Sequence, residues 1–178
     1  MADLRNRFSD AYERYSDELF RHCSLRLSDR ERALELTQEC FLKTWEYIER
    51  GEEVEDFRPF LYRTLRNLII DEYRKKKPRS LEAMLEVGEE TDVETLMPAD
   101  ESNTLEAAVE RFEGRRALAA LEKVPDLYRE VLALRYIESL SPKEIAEIVG
   151  ESENAVSVRI HRGLKKLRAL LEEEQKLS

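Results

Sequence analysis

Between Ser152 and Leu171 the chain reads SENAVSVRIHRGLKKLRALL, with one acid near the start and then Arg159, Arg162, Lys165, Lys166 and Arg168. At a helical period Val156, Ile160, Leu164, Leu167 and Leu171 share one face. Asn154, Val158, His161, Arg162 and Lys165 fall opposite, flanked by Ser157, Arg159, Lys166 and Arg168. The chemistry open to such a face is phosphate neutralisation and contact with base edges. Ser152 at the N-cap would leave backbone amides pointing outward, where a phosphate can dock. Charge alone fits a solvated helix face equally well, so the preceding residues decide. In LSPKEIAEIVGESENAV, Ser141 caps a short helix with Pro142 at its first position and Glu144 closing a capping box. Ala146 is small enough for a close helix crossing, Gly150 can take a left-handed turn, and Val156 packs back. That order is the helix-turn-helix signature and points to DNA.

A second face has a different composition. In FRPFLYRTLRNLIIDEYRKKK, the residues opposite the apolar stripe are Tyr62, Arg63, Arg66, Ile70, Tyr73, Arg74 and Lys77, with Asn67 at the edge. Basic side chains track a phosphate backbone, and aromatic or apolar ones give unpaired bases a surface to stack on, which suits a single strand. The alternative is that Tyr62 and Ile70 pack on the linker or on another domain. Catalysis finds no support: no carboxylate pair, nucleophile with base, or Gly-rich phosphate loop stands in a plausible context. His22 and His161 have no ligand spacing beside them, and Cys23 and Cys40 occupy apolar-face positions expected of buried thiols. No catalytic residue, metal or cofactor is predicted.

The elements that must carry these faces are helices. The chain has 178 residues, 42% hydrophobic and 39% charged, with only five glycines and five prolines. Nearly every segment between them has a helical period, which predicts an all-α protein. A stripe of Leu4, Phe8, Tyr12, Tyr15, Leu19, Cys23 and Leu27 predicts a first helix from about Asp3 to Leu27. SDRE then predicts a second, capped by Ser28 and Glu31, burying Ala33, Thr37, Cys40, Phe41, Thr44, Trp45 and Ile48. A third opens near Asp56, buries Phe57, Phe60, Leu61, Leu65, Leu68 and Ile69, and stops before Pro78. Periodicity fades after Arg79 and acids accumulate, so residues 79–103 read as a flexible acidic linker between a domain at 1–78 and one at 104–178. Helices resume at Thr104–Lys123 and at about Asp126 to Glu138. No apolar run approaches a membrane span and the N-terminus is too charged for a signal peptide, so a cytoplasmic protein without membrane insertion is expected.

The segments ALELTQECFLKTWEYI, FRPFLYRTLRNLIIDEYRKKK and YREVLALRYIESLSPKEIAEIVGESENAVSVRIHRGLKKLR together resemble bacterial RNA polymerase sigma factors of the extracytoplasmic function (ECF) group, in order and rough separation. The resemblance implies a transcription initiation factor without catalytic activity that binds core polymerase, directs it to promoters and helps melt the start site. It implies that the second helix docks on the clamp of the polymerase β′ subunit through Arg32, Glu35, Gln38, Glu39, Leu42, Lys43 and Glu46. The third helix would read the −10 element, with Asn67 facing the melted strand, and the helix-turn-helix the −35 element, through Ser157, Arg159, His161 and Arg162. The polymerase β subunit and an anti-sigma factor are further implied partners. The loop Arg50 to Asp56 departs from the pattern, being mostly acidic where the family binds a flipped base. A net charge of −9 predicts weak DNA affinity for the free chain, which polymerase would supplement by joining separate contacts. The runner-up is a stand-alone helix-turn-helix regulator that binds duplex operators as a dimer.

Overall fold

The computed structural model describes residues 2–76 and 114–176. These form seven α-helices in two groups: α1 (Ala2–Leu27), α2 (Arg30–Glu49) and α3 (Phe57–Lys76), then α4 (Gly114–Lys123), α5 (Asp126–Leu132), α6 (Pro142–Val149) and α7 (Glu153–Lys176). Among the described residues no strand occurs, as the all-α reading expects. The expected linker, Lys77 and the first residues of the fourth predicted helix lie outside the described residues.

In the first group α1, α2 and α3 pack on one another around Leu19, Cys23, Leu36, Cys40, Leu61, Leu65 and Ile69, all fully or almost fully buried. Both thiols are inside, and burial pushes each up to about 12, so they behave as small apolar groups. Phe8, Phe41, Trp45 and Phe57 close the far end as an aromatic cluster. Trp45 is only half-buried, and the core position expected of it goes to Leu36. Tyr12 likewise stays exposed, while Ala11, His22 and Arg26 take buried positions on α1.

The start of α2 differs from its expected cap. Ser28 has a left-handed backbone (φ 54°) and donates its N–H to the Ser24 carbonyl, so it closes α1. Asp29, extended, accepts from the Arg32 amide and caps α2. The acidic loop after α2 is anchored: Val54 is buried, and the Arg7 guanidinium donates to the Val54 and Glu55 carbonyls at 3.0 and 3.1 Å.

In the second group the expected helix from Asp126 to Glu138 changes register. The α-helical turns end at Leu132, and Ala133–Ile137 form a π-helical turn. Ser139 is left-handed, and the widened turn brings Glu138 and Leu140 inside. Below it α6 and α7 make the expected helix-turn-helix. Ser141 caps α6 in a complete capping box with Glu144, and Gly150 turns left-handed at φ 74°. Ser152 accepts the Ala155 amide at the start of α7. Val156, Ile160, Leu164, Leu167 and Leu171 are all buried, as their spacing predicts. At Gly163 a Cβ would sit 3.1 Å from the Leu132 side chain and 3.2 Å from the Tyr128 Cβ, so glycine permits the close crossing of α5 and α7.

The two groups are not separate bodies. α6 packs along α3 and α5 touches α1, so one continuous core runs through both.

Candidate nucleic-acid interface

The predicted single-strand face of α3 splits lengthwise. Arg63, Asn67 and Arg74 are exposed, whereas Arg66, Ile70 and Tyr73 are half-covered and Tyr62 is 1% exposed. The sequence placed Tyr62 on an outward face; in the structure that side chain is buried, between α1 and the second helical group. Of Tyr62 and Ile70, Ile70 is half-covered, and Tyr62 is packed inside the protein, chiefly against α1 and with Glu138 of the second group nearby. Tyr62 stacks edge-on against His22 and donates its hydroxyl to Glu18 at 2.8 Å. Burial, with the Glu138 and Glu18 carboxylates nearby, pushes its pKa far up.

α6 packs along α3, and the polar groups that meet this face from the second group are acids of α5 and its extension. The Glu130 carboxylate, 3% exposed, accepts from Arg26 Nη1 and from Arg66 Nε, both at 2.8 Å. Asp126 accepts two bonds from Arg26, at 2.7 and 3.2 Å, and one from the Tyr73 hydroxyl at 2.9 Å. The same hydroxyl lies 2.6 Å from the Arg26 carbonyl. Arg26 is the hub, with its side chain 2% exposed. Burial alone would lower its pKa, but the Glu130 and Asp126 carboxylates outweigh burial and raise it. Asp126 is the converse: burial works upward, and Arg26 beside it holds the carboxyl below its ordinary range. At the other end Arg21 pairs with Glu138 at 3.1 Å, and Arg58 donates to Glu18 and to the Glu138 carbonyl, both at 2.8 Å. Burial raises the Glu138 carboxyl despite Arg21.

The helix-turn-helix face is more open. Ser152, Asn154 and Lys165 are exposed, and Ser157, His161 and Arg162 are half-buried. Arg159 is folded back onto Glu151 and largely covered. These residues lie on one stretch of α7, as predicted.

The outward face of α2 is also open, with Leu42 at 63% and Leu34 at 49% exposure beside exposed Glu35, Gln38, Lys43 and Glu46. Glu39 and Lys43 pair loosely at 3.7 Å. Arg32 is drawn inward, bonded to Glu35 at 2.6 Å and to Glu72 of α3 at 2.7 Å, and it holds Glu72 below the usual carboxylate range.

Sequence reasoning missed Leu34, Arg21, Arg26, Arg58 and the acids Glu18, Asp126, Glu130 and Glu138. One signal was present. Continuing the α1 stripe from Leu19 by three and four residues lands on His22, Cys23 and Arg26, so a buried helix face ends in charge and needs a charged partner.

Comparison with known proteins accounts for both groups. Residues 11–79 match the family description Sigma-70 region 2, and residues 114–167 match Sigma-70, region 4. The chain is 33% identical over 165 residues to the ECF RNA polymerase sigma factor SigW of Bacillus subtilis, covering 92% of this chain and 88% of the relative. It is 27% identical over 160 residues to the RNA polymerase sigma factor SigV of the same organism, covering 90% and 88%. A solved structure of the sigma factor RpoE of Bartonella quintana, in complex with the anti-sigma factor NepR, shares the fold at a TM-score of 0.65 and 21% identity, over 93% of this chain and 96% of that one. With a region 2 helical group, a helix-turn-helix region 4 group and a relative of this similarity along nearly the whole chain, the protein belongs to the ECF group of the sigma-70 family of RNA polymerase sigma factors.

Proposed function

We propose that this sigma factor divides promoter recognition among three faces: α2 docks on the clamp of the polymerase β′ subunit, α3 holds the melted −10 strand, and α7 reads the −35 duplex. The observation that carries the reading is α2. Leu34 and Leu42 are the large apolar side chains of this helix left exposed, eight residues apart on one face among charges. A protein interface has that composition, apolar at its centre and polar at its rim. The open stripe of Arg63, Asn67 and Arg74 supports the role of α3, and the capped α7 with Asn154, His161, Arg162 and Lys165 along one side supports the role of the helix-turn-helix.

On this assignment residues 1–78 form the core-binding and −10 unit and residues 104–178 the −35 unit. The protein carries out no bond-making itself, and its place is the cytoplasm beside polymerase. Among the described residues no helix is long and apolar enough to cross a membrane. An anti-sigma factor and the polymerase β subunit complete the proposed partners. Mixing the chain with core polymerase should give a stable complex on gel filtration and promoter-dependent transcripts. Failure to form that complex with active core enzyme overturns the assignment of α2. A dimer that binds duplex operators tightly without polymerase would favour the stand-alone regulator instead.

A further inference from the structure

We propose that Glu151 in the turn and Arg159 on α7 act as one positioning unit that sets the tilt of the recognition helix, with Arg159 a strut rather than a DNA contact. The proposal deepens, and rests on, the reading of α7 as the −35 reader.

Glu151 joins both helices of the motif. Its backbone N–H and that of Gly150 donate to the Ala146 carbonyl of α6, at 3.2 and 2.9 Å. Its carboxylate accepts from Arg159 Nη2, eight residues further on in α7. Val156 and Ile160 hold that stretch of α7 to the core by one apolar face, and the Glu151–Arg159 bond ties its flank to the turn. The Arg159 side chain reaches back toward the start of its helix, the direction helical side chains favour, and is only 13% exposed. Its other terminal nitrogen, Nη1, is enclosed and has no hydrogen-bond partner among the described residues. Neither nitrogen meets a phosphate or a base edge unless the whole side chain swings out.

The charges agree with a strut. Glu151 stands beside the N-terminal end of α7, the end that a helix-turn-helix places in the major groove, where a lone carboxylate would repel phosphate. Joined to Arg159, the pair carries no net charge. As a source of stability a pair so near the surface is worth little. Its value lies in orientation, because the arginine fork is fixed before DNA arrives and base contacts tolerate little displacement of the helix that carries them.

The test uses reconstituted holoenzyme and the duplexes that the unaltered holoenzyme selects from a pool randomised across the −35 region. Glu151→Gln and Arg159→Gln change the net charge in opposite directions, so effects through bulk electrostatics would have opposite signs. A shared strut gives one sign: each should weaken binding about tenfold, the scale of one lost base contact, and both together should cost no more than either alone. Exchanging the partners, Glu151→Arg with Arg159→Glu, should restore most of the affinity. The slope of log affinity against log salt should hold for Arg159→Gln, whereas a lost phosphate contact lowers it by about one. Repeating the selection with that variant should blur several neighbouring positions together, as a tilted helix would. Thermal melts of the variants should coincide with that of the unaltered chain. Tighter binding by Glu151→Gln, a lowered salt slope for Arg159→Gln, or an exchange variant weaker than both single ones overturns the strut and makes Arg159 a DNA contact that Glu151 masks. Melts lowered in all the variants would make the pair a stability element and overturn it as well. If the unaltered holoenzyme selects no −35 sequence at all, the reading of α7 fails and the proposal with it.

Discussion

The outward faces of α2 and α3 look alike on paper, each a charged helix face interrupted by large apolar residues. In the folded chain they part ways. Leu34 and Leu42 of α2 stay in water, and the acids beside them pair only within their own helix or with Arg32. Tyr62, Arg66 and Tyr73 of α3 are taken up by Glu18 and by α5 from the second domain. The difference lies in the partner. On the α2 face only Arg32 is drawn to another helix, by Glu72, and Leu34 and Leu42 stay exposed, while the α3 face is met by Asp126 and Glu130, with Glu138 near Tyr62. On the proposed assignment the exposed leucines of α2 are the part that meets polymerase, whereas the basic side chains of α3 are partly engaged within the chain.

The largest effect should come from breaking the covered face at its hub. Arg26→Ala leaves Asp126 and Glu130 as buried carboxylates without their shared guanidinium, a loss of roughly 3–5 kcal/mol for the closed state. Urea unfolding followed by circular dichroism, run beside size-exclusion radius, should show a lower midpoint or a swollen chain. If neither moves, the ion cluster does not hold the domains together.

The open face should behave in the opposite way. Leu42→Arg with Glu39→Lys reverses the proposed docking surface, where central contacts are worth roughly 2–4 kcal/mol each. Assembly with core polymerase should be lost on gel filtration. The unfolding midpoint should stay close to that of the unaltered chain, since exposed substitutions cost no more than about 0.5 kcal/mol. A large fall in stability would mean that Leu42 packs inside.

What was legible in the sequence follows the same divide. The first three helices, the buried stripe of α7, the capping box at Ser141 and the turn at Gly150 are local, set by spacing within one element, and appear close to where they were read, whereas the helix expected from Asp126 to Glu138 gives way to a π-helical turn after Leu132. Where the outward side of α3 points was not local. It depends on residues some fifty to seventy positions away, and a basic face looks the same whether water, DNA or Glu130 lies against it. The cap at Asp29 was misread for a smaller reason: Ser28 and Asp29 are both good caps, and the way α1 ends leaves Ser28 left-handed and unable to serve.

A third face allows a finer comparison, because Arg162 on α7 is half-buried where Leu42 is open. If Arg162 makes a bidentate base contact, Arg162→Ala should cost roughly 1–3 kcal/mol on the preferred −35 sequence and relax preference at one position. Competition binding by the holoenzyme across singly substituted promoters measures this. An equal loss on every sequence would make Arg162 a phosphate contact.

The smallest effect concerns how acid loosens the covered face. His22 is buried against Tyr62 with Arg26 nearby, and burial first, then that positive charge, pushes its pKa from 6.5 down to about 3. As pH falls, the unfolded chain takes up this proton before the folded one does. Stability from His22 is therefore full above its unfolded value and drains away below it, reaching roughly 1.4 kcal/mol per pH unit well under that value. Asp126, held low, loses stability in the same direction but only near ordinary carboxylate values, and Glu138, held high, works the other way. Between about pH 7 and about pH 5.5 the His22 effect should total ~1 kcal/mol. Urea midpoints for the unaltered chain and for His22→Phe, which keeps a ring against Tyr62, would isolate it: the unaltered chain should fall and the variant stay nearly level. Parallel slopes would mean that the proton goes elsewhere, and that the covered face of α3 owes its acid response to the carboxylates alone.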